Sequence, residues 1–580
     1  MREYWTEYAK KADFELWSRE LHITPLSARI LRNRDVESLE EARLFLSGTM
    51  ADLSDPYLMK DMEKGEKILA EAIRKKERVA IVTDYDDDGI FGGEILYEGI
   101  LKAGGSAVIY YPDRTLEGYG INERIIEDVK AEGCGLILTC DNGIAAPEEI
   151  ARAKEMGLKV IVTDHHEPGE KIPAADAVID PKQPDCPYPF KSLCGAGVAY
   201  RLIQALFRDF RLPQDTEEAF LEYLAIATVA DVVELKGENR IIVKAGLEKL
   251  RKTPNVGLRA LMNACAVRPE NLTAEQIGFI IAPCFNTLSR LETPEPAFAL
   301  LREQNESEAA RIAHDIRDLN GKRKKLQEEG IKAAEKLLAE KKEALLPIIF
   351  ACLSGVNESV IGIVAGKLKE KYNRPAFVFT DCGNGLKGSG RSVEGYHMQK
   401  ALLSCGDLLQ KFGGHAMAAG LSLEKENLPL LEERLLSAFP LSEEELVKKV
   451  RIDARLPLSY ISESLCAELD SLGPFGNGFS KPVFARPHFR VKTLRLLGEG
   501  STVKMTVTED GTLYMDALLF GDAEGFLSFL KENFGEEEVE KALSGRDNTI
   551  DIALTFYPSV NEFRGIKSLQ IVCQSYCVIR

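Results

Sequence analysis

The stretch ERVAIVTDYDDDG, residues 77–89, decides the fold. Four apolar residues, Val79–Val82, lead into an acidic turn that carries Asp84, Asp86, Asp87 and Asp88. An apolar run this short, closed by a polar turn, reads as a buried strand. Working outward, similar runs recur at Ala107–Tyr111, Leu136–Cys140 and Val160–Thr163. Helical patterns such as NERIIEDVKAEG and PEEIARAKEMG separate them. Strand and helix in alternation predict an α/β fold, a parallel sheet with helices on both faces.

In such folds the residues just past the C-terminal strand ends line the ligand crevice. Asp84, Asp86 and Asp88 follow the first strand, Asp141 follows the strand ending in LTC, and Asp164, His165 and His166 follow VIVT. One acidic turn alone would read as solvated surface. The chain has only seven histidines, however, and two of them adjoin at one strand end. Asp231 interrupts the apolar run AIATVADVVEL, where a carboxylate needs a partner. Carboxylates crowded this way repel one another, so a cation is expected among them. Oxygen ligands with imidazole suit Mn²⁺ or Mg²⁺ better than structural zinc. Two such ions, about 3.5–4 Å apart, would activate water and stabilise a leaving oxygen, so phosphodiester hydrolysis is the expected reaction class.

A chain of 580 residues predicts roughly three to five domains. The net charge of −17 argues against a general polyanion-coating protein and leaves room for a local basic groove. None of the twelve cysteines forms a C-x-x-C pair, so neither a zinc ribbon nor a redox dithiol is suggested; buried, reduced thiols are expected. No apolar run approaches the ~20 residues that span a bilayer, and the first residues lack a signal-peptide core. A cytoplasmic protein with no membrane partner is expected.

The chain reads as an N-terminal helical segment (1–65), an α/β domain (66–303), a highly charged connecting helix (304–345), a second α/β domain (346–447) and a strand-rich end (448–580). Alternating β-branched and aromatic residues in HFRVKTLRLL, TVKMTVTED, LYMDALLF, TIDIALTFYP and SLQIVCQSYCVI predict a small barrel, with an OB-fold as one candidate.

The four acidic and histidine segments, in this order, resemble the motifs of the DHH phosphoesterase family, named for a triplet that stands here at Asp164, His165 and His166. YPDRTLEGYG (111–120) and DHHEPGEKIPAADAVIDPKQPDCPYPFKSLCGAGVAY (164–200) are similar to its RecJ-type exonucleases. GIVAGKL, KGSGRS and FGGHAMAAG resemble the DHHA1 domain, and LGPFGNG and NEFRG the RecJ OB region. The resemblance implies a DHH parallel-sheet domain, a connecting helix, a DHHA1 domain and an OB-like barrel. It makes Asp86, Asp88, Asp141, His165 and Asp231 the ligands of two Mn²⁺ or Mg²⁺ ions, with Asp141 suited to bridge both. Asp84 and Asp164 would support this shell, and His166 would contact the scissile phosphate or assist proton transfer. Arg114, Asn286, Arg290, Ser389, Arg391 and His415 would hold the substrate, the arginines gripping phosphate oxygens bidentately.

The implied activity is removal of nucleotides from the 5′ end of single-stranded DNA in repair and recombination. A narrow channel would admit one strand, and the barrel would guide it in. A helicase and a single-strand-binding protein are the implied partners. The segment Cys284-Phe285-Asn286-Thr287-Leu288-Ser289-Arg290 departs from the family's Arg-Ile-Asn-Ala-Ala-Gly-Arg, Val356-Asn357 stands where Trp-His is common, and Val82 replaces a frequent histidine. None of these positions is an expected metal ligand. Two alternatives stay open: a DHH phosphodiesterase acting on short oligonucleotides or cyclic dinucleotides, and a non-catalytic nucleic-acid-binding relative.

Overall fold

The computed structural model describes residues 3–114, 116–340, 346–383, 385–498, 500–563 and 565–579. Thr115 of the 111–120 element, the last five residues of the expected 304–345 helix and Arg564 of NEFRG lie outside the described residues. The chain divides into two compact units: one built from residues 1–3, 52–233 and 242–448, the other from 4–51, 234–241 and 449–580.

The first unit opens on a five-stranded sheet, all of it parallel: β1 (Arg78–Thr83), β2 (Ser106–Tyr110), β3 (Leu136–Cys140), β4 (Lys159–Thr163) and β5 (Ala177–Ile179). Four of these are the strands read from the sequence; β5 is only three residues long, too short to stand out among its polar neighbours. The strand order is β2-β1-β3-β4-β5. Chain progression therefore reverses between β1 and β3, and such a switch point opens a crevice at the strands' C-terminal ends.

Both faces of the sheet are covered, so its strands read as unbroken apolar runs. Ala80, Val82, Ile137, Val160 and Val162 pack against Ile125, Val129, Ile150 and Ala153 of the helices Glu123–Ala131 and Pro147–Glu155. The alternate residues Val79, Ile81, Leu138 and Ile161 are equally buried. On that side, Gly65 of the helix Met62–Arg74 packs closely on the sheet: a Cβ added there would stand 2.7 Å from Ile179 Cδ1. Three more helices matter to the crevice: α1 (Asp87–Lys102), α2 (Gly195–Asp209) and α3 (Leu221–Ala230).

Gly246, in the helix Gly237–Leu250, is pressed against α3: an added Cβ would meet Ala225 Cβ and the carbonyl oxygen of Leu221. Gly246→Ala is expected to destabilise the unit by about 1–3 kcal/mol, because a backbone oxygen cannot rotate away. The check is a lowered denaturant midpoint; an unchanged midpoint would refute this packing.

A helix-rich stretch including α4 (Ala282–Leu291) then leads to the long α5 (Glu306–Glu340), the charged helix expected from the sequence. Its buried residues, among them Ala309, Ala313, Ile316 and Leu319, recur at three and four. The second sheet of this unit has the order β9-β10-β8-β7-β6. Its strands are β6 (Ile349–Cys352), β7 (Ala376–Cys382), β8 (Gly385–Arg391), β9 (Lys411–Gly414) and β10 (Ala418–Glu424). α6 (Glu358–Tyr372) lies between β6 and β7 in the chain.

In β8 the two-residue period puts Leu386, Gly388 and Gly390 in the core and leaves Lys387, Ser389 and Arg391 on the opposite face. Gly388 and Gly390 must be glycine for packing: a Cβ on the first would lie 2.6 Å from the Phe379 ring, and one on the second 2.8 Å from that of Phe377.

The other unit is a closed barrel of β11 (Ala454–Arg455), β12 (Phe484–Leu497), β13 (Thr502–Thr508), β14 (Tyr514–Phe520), β15 (Asp551–Phe563) and β16 (Ile566–Cys577). β12 pairs with both β13 and β15, which closes the sheet. Two helices absent from the sequence reading, Ala523–Phe534 and Glu536–Leu543, separate β14 from β15. The N-terminal helices contribute Trp17, Leu31 and Phe45 to the same core as Phe484, Phe489 and Phe556. A strand, Glu3–Glu7, precedes those helices and pairs with Lys448–Ile452. Among the described residues, no helix is long and apolar enough to cross a membrane.

Candidate metal centre

The crevice between the ends of β1 and β3 gathers the acidic residues through ordinary backbone devices. Asp86 caps α1, its side chain accepting from the N–H groups of Asp88 (3.1 Å) and Gly89 (3.2 Å). Asp88 sits in the first turn, where the positive end of the helix dipole favours a carboxylate. Its oxygens accept the backbone N–H groups of Gly195 (2.5 Å) and Ala196 (2.9 Å) at the start of α2. Two helix N-termini thus face one carboxylate.

Asp141 extends the sheet by one hydrogen bond, its N–H donating to Thr163 O at 3.1 Å. It then turns into the left-handed region, φ 61°. Aspartate tolerates that conformation better than most side chains, and the turn aims its carboxylate back over the crevice. Asn142 fixes the turn by donating to Val82 O (3.0 Å) and Cys140 O (2.9 Å), tying the ends of β1 and β3 together.

Asp164 accepts from the N–H groups of Ile144, His165 and His166 and from His166 Nδ1 at 2.8 Å. Burial opposes its charge, but the His166 contact and these donors outweigh it and hold its carboxyl below the usual range. His165 Nδ1 lies 3.0 Å from Leu193 O, a carbonyl that can only accept, so the ring proton belongs there. Nε2 is left with a lone pair, 3.1 Å from Asp141 Oδ1 and 3.7 Å from Asp88 Oδ2. Burial pushes the His165 pKa down, which keeps it neutral and able to ligate. Asp231 caps the C-terminal end of α3, where the helix dipole disfavours negative charge.

Ligand-type atoms of Asp84, Asp86 and Asp141 lie within 4.8 Å of one another, as do those of Asp88, His165 and Asp231, and those of Asp141, His165 and His166. Asp84, expected to support the shell, thus joins the same cluster as Asp86 and Asp141. Asp84 Oδ1, Asp87 Oδ1 and Asp231 Oδ2 are buried with no hydrogen-bond partner among the described residues. Burial, and then the neighbouring carboxylates, push the pKa values of Asp84, Asp87, Asp141 and Asp231 well above the usual range.

Each pair of like charges 4 Å apart costs about 4 kcal/mol at an effective dielectric constant of 20. Several such pairs would rival the whole stability of a domain, about 5–15 kcal/mol. Orphaned oxygens, one free imidazole nitrogen and this repulsion fit divalent cations held between the clusters. Adding Mn²⁺ at a hundredfold excess over its Kd is therefore expected to stabilise the unit by about 2.7 kcal/mol. It should also release protons, since the raised carboxyls must ionise to bind. Thermal melts with Mn²⁺ and with a chelator check this; identical melts would rule out the site.

The expected substrate residues are placed as follows. Arg114 stacks over the Tyr85 ring, 5.1 Å from its centroid, beside the acidic turn. Arg290 donates to Ser359 O (3.1 Å), and burial, aided by Arg114, Arg323 and Arg391, lowers its pKa to about 10. Arg391 Nη1 lies 3.1 Å from Ser389 Oγ. A Cβ at Gly362 of α6 would meet Arg391 Nη2 at 2.9 Å and Ser389 Oγ at 3.0 Å, so glycine there leaves them room. Tyr85, Tyr111, Arg114 and Arg290 line one open pocket of ≈ 640 Å³.

Asn286 donates its amide to Asp87 Oδ2 at 2.9 Å, so that group is already engaged. His415 stands in the turn between β9 and β10 with its side chain exposed, its backbone N–H donating to Ala418 O. Sequence reasoning assigned no role to Asp87, nor to Tyr119, whose hydroxyl donates to Asp141 O and lies 3.2 Å from His166 Nδ1. It also passed over Gly195 and Ala196; small residues at a helix start are the signal that a carboxylate approaches there.

Comparison with known proteins agrees with this geometry. Residues 78–228 match the DHH family N-terminal domain, residues 346–439 the DHHA1 domain and residues 452–575 the RecJ OB domain. The single-stranded-DNA-specific exonuclease RecJ of Bacillus subtilis is 38% identical over 512 residues, 87% of this chain; the chain spans 64% of that relative's length. RecJ of Escherichia coli is 33% identical over 575 residues, 95% of each chain. The crystal structure of Thermus thermophilus RecJ in complex with Mn²⁺ superposes with a TM-score of 0.81 at 27% identity, covering 100% of this chain and 80% of that one. With its sheet, metal-type cluster, DHHA1 domain and barrel in agreement, the chain belongs to the RecJ family of DHH phosphoesterases.

Proposed function

We propose that the chain is a metal-dependent exonuclease that hydrolyses single-stranded DNA from the 5′ end. The observation that carries this reading is the convergence of five carboxylates and an imidazole at one sheet edge, in the same unit as Arg114, Arg290, Ser389 and Arg391. Asp84, Asp86, Asp88, Asp141, His165 and Asp231 would hold two Mn²⁺ or Mg²⁺ ions. Bound there, the ions would supply Lewis-acid chemistry for attack of water on a phosphodiester.

The chain's own residues do the rest. Leu193 O fixes the His165 tautomer, and Asp164 orients His166 so that its Nε2 points away from the shared proton, free to meet a phosphate oxygen or a leaving group. Arg114, Arg290 and Arg391 present guanidinium groups for the terminal phosphate. The barrel, of the RecJ OB type, adds a surface suited to a single strand.

Digestion of end-labelled single- and double-stranded DNA with Mn²⁺ or Mg²⁺ tests this. Mononucleotides released from the 5′ end of single strands are expected; preference for a dinucleotide over a long strand would favour the short-oligonucleotide reading instead. Cytoplasmic DNA repair and recombination, with a helicase and a single-strand-binding protein as partners, complete the proposal.

A further inference from the structure

Cys284, where the RecJ-type segment carries arginine, has a partner that sequence spacing did not suggest. It is buried in α4, 1% exposed, while Cys265, at the C-cap of the helix Val256–Ala264, is only partly covered. Their sulfur atoms are 3.7 Å apart. That is a van der Waals contact, about 1.7 Å longer than the S–S bond of about 2.05 Å. Two side chains of α5 hold the inner thiol in place: Asn320 donates to Cys284 Sγ at 3.3 Å and Arg323 donates to Asn320 Oδ1 at 3.0 Å.

We propose that Cys265 and Cys284 are an oxidant-reactive dithiol that closes reversibly to a disulfide. Cys265 is the attacking sulfur, because it is the accessible one and lies in a basic setting. A hydrogen bond with Cys284, opposed by burial and helped by Lys324 and Arg317, brings its thiol down to about 7. With a peroxide as oxidant, the Cys265 thiolate attacks one oxygen, the O–O bond breaks, and a sulfenic acid and hydroxide result. The Cys284 sulfur then attacks the sulfenic sulfur; its proton and the departing hydroxyl leave as water. The two thiols lose two electrons and two protons in all, and the peroxide becomes two waters.

The bond ties the end of one helix to α4, which carries Asn286 and Arg290 on its following turns. Oxidation is therefore expected to slow hydrolysis severalfold, reversibly. That consequence rests on the proposed nuclease activity; formation of the bond does not.

The test uses the full chain, reduced, exposed to a small molar excess of hydrogen peroxide, alkylated, digested and analysed by mass spectrometry. A linked peptide joining Cys265 to Cys284, lighter than its two thiol peptides by two hydrogens and lost on reduction, is the expected product. The exposed Cys382 should remain alkylated. Cys265→Ser should abolish the linked peptide and make hydrolysis insensitive to peroxide. Cys284 found alkylated while Cys265 carries a lasting sulfinic acid would overturn the pair, a result readable in the unmutated protein alone. A linked peptide with equal peroxide sensitivity in Cys265→Ser would overturn the coupling to α4.

Discussion

Asp141→Asn is expected to lower metal-dependent hydrolysis by roughly a thousandfold, the equivalent of about 4 kcal/mol at 1.36 kcal/mol per tenfold change in rate. The size follows from position. Asp141 offers a ligand atom both to the group with Asp84 and Asp86 and to the group with His165 and His166. One substitution therefore weakens two clusters. Asparagine keeps the shape of the side chain and tolerates φ 61°, so the turn should survive.

The metal-free protein offers a second reading of the same variant. Asp141 is fully buried among like charges and its pKa is pushed up, first by burial and then by Asp88, Asp86, Asp231 and Asp84. Removing the group's ability to ionise relieves that repulsion. The metal-free melting temperature should hold or rise, while the stabilisation by Mn²⁺ shrinks. Hydrolysis at the unmutated rate, with the Mn²⁺ shift intact, would take Asp141 out of the centre.

This pattern shows which parts of the molecule a sequence can disclose. β1, β3 and β4 are buried on both faces, so their apolar runs are continuous and their ends are marked by the polar turns that hold Asp84, Asp141 and Asp164. Reading the ends of the runs was equivalent to reading the crevice. The long α5 was legible for a similar reason, its buried residues recurring along one face.

Other features depend on a partner distant in sequence. Asn286 faces Asp87 across 199 positions, and Cys284 faces Asn320 and Cys265 on two other helices. A glycine in a motif such as KGSGRS can leave room for a ligand or for packing; the side of Gly388 and Gly390 that a Cβ would occupy faces Phe379 and Phe377. No local pattern distinguishes those two uses of glycine.

Gly195→Ala separates them at the metal centre. An added Cβ would stand 2.6 Å from Asp141 Cβ and 2.9 Å from both its Cα and Oδ1. The same residue's N–H supports Asp88 Oδ2. One methyl group would thus push α2 and β3 apart and disturb two ligands together. A misplacement of about 1 Å can reduce a rate by 10²-fold, and a loss at least that large is expected here. Gly366→Ala is the matched control: that glycine lies within α6 with no atom inside 4 Å of its added Cβ. It should leave hydrolysis unchanged and stabilise the helix by up to about 1 kcal/mol. If both variants cleave DNA at the unmutated rate, contact between α2 and Asp141 does not govern the geometry of the centre. Should Gly195→Ala lose hydrolysis and keep the full Mn²⁺ stabilisation, the contact positions substrate rather than metal.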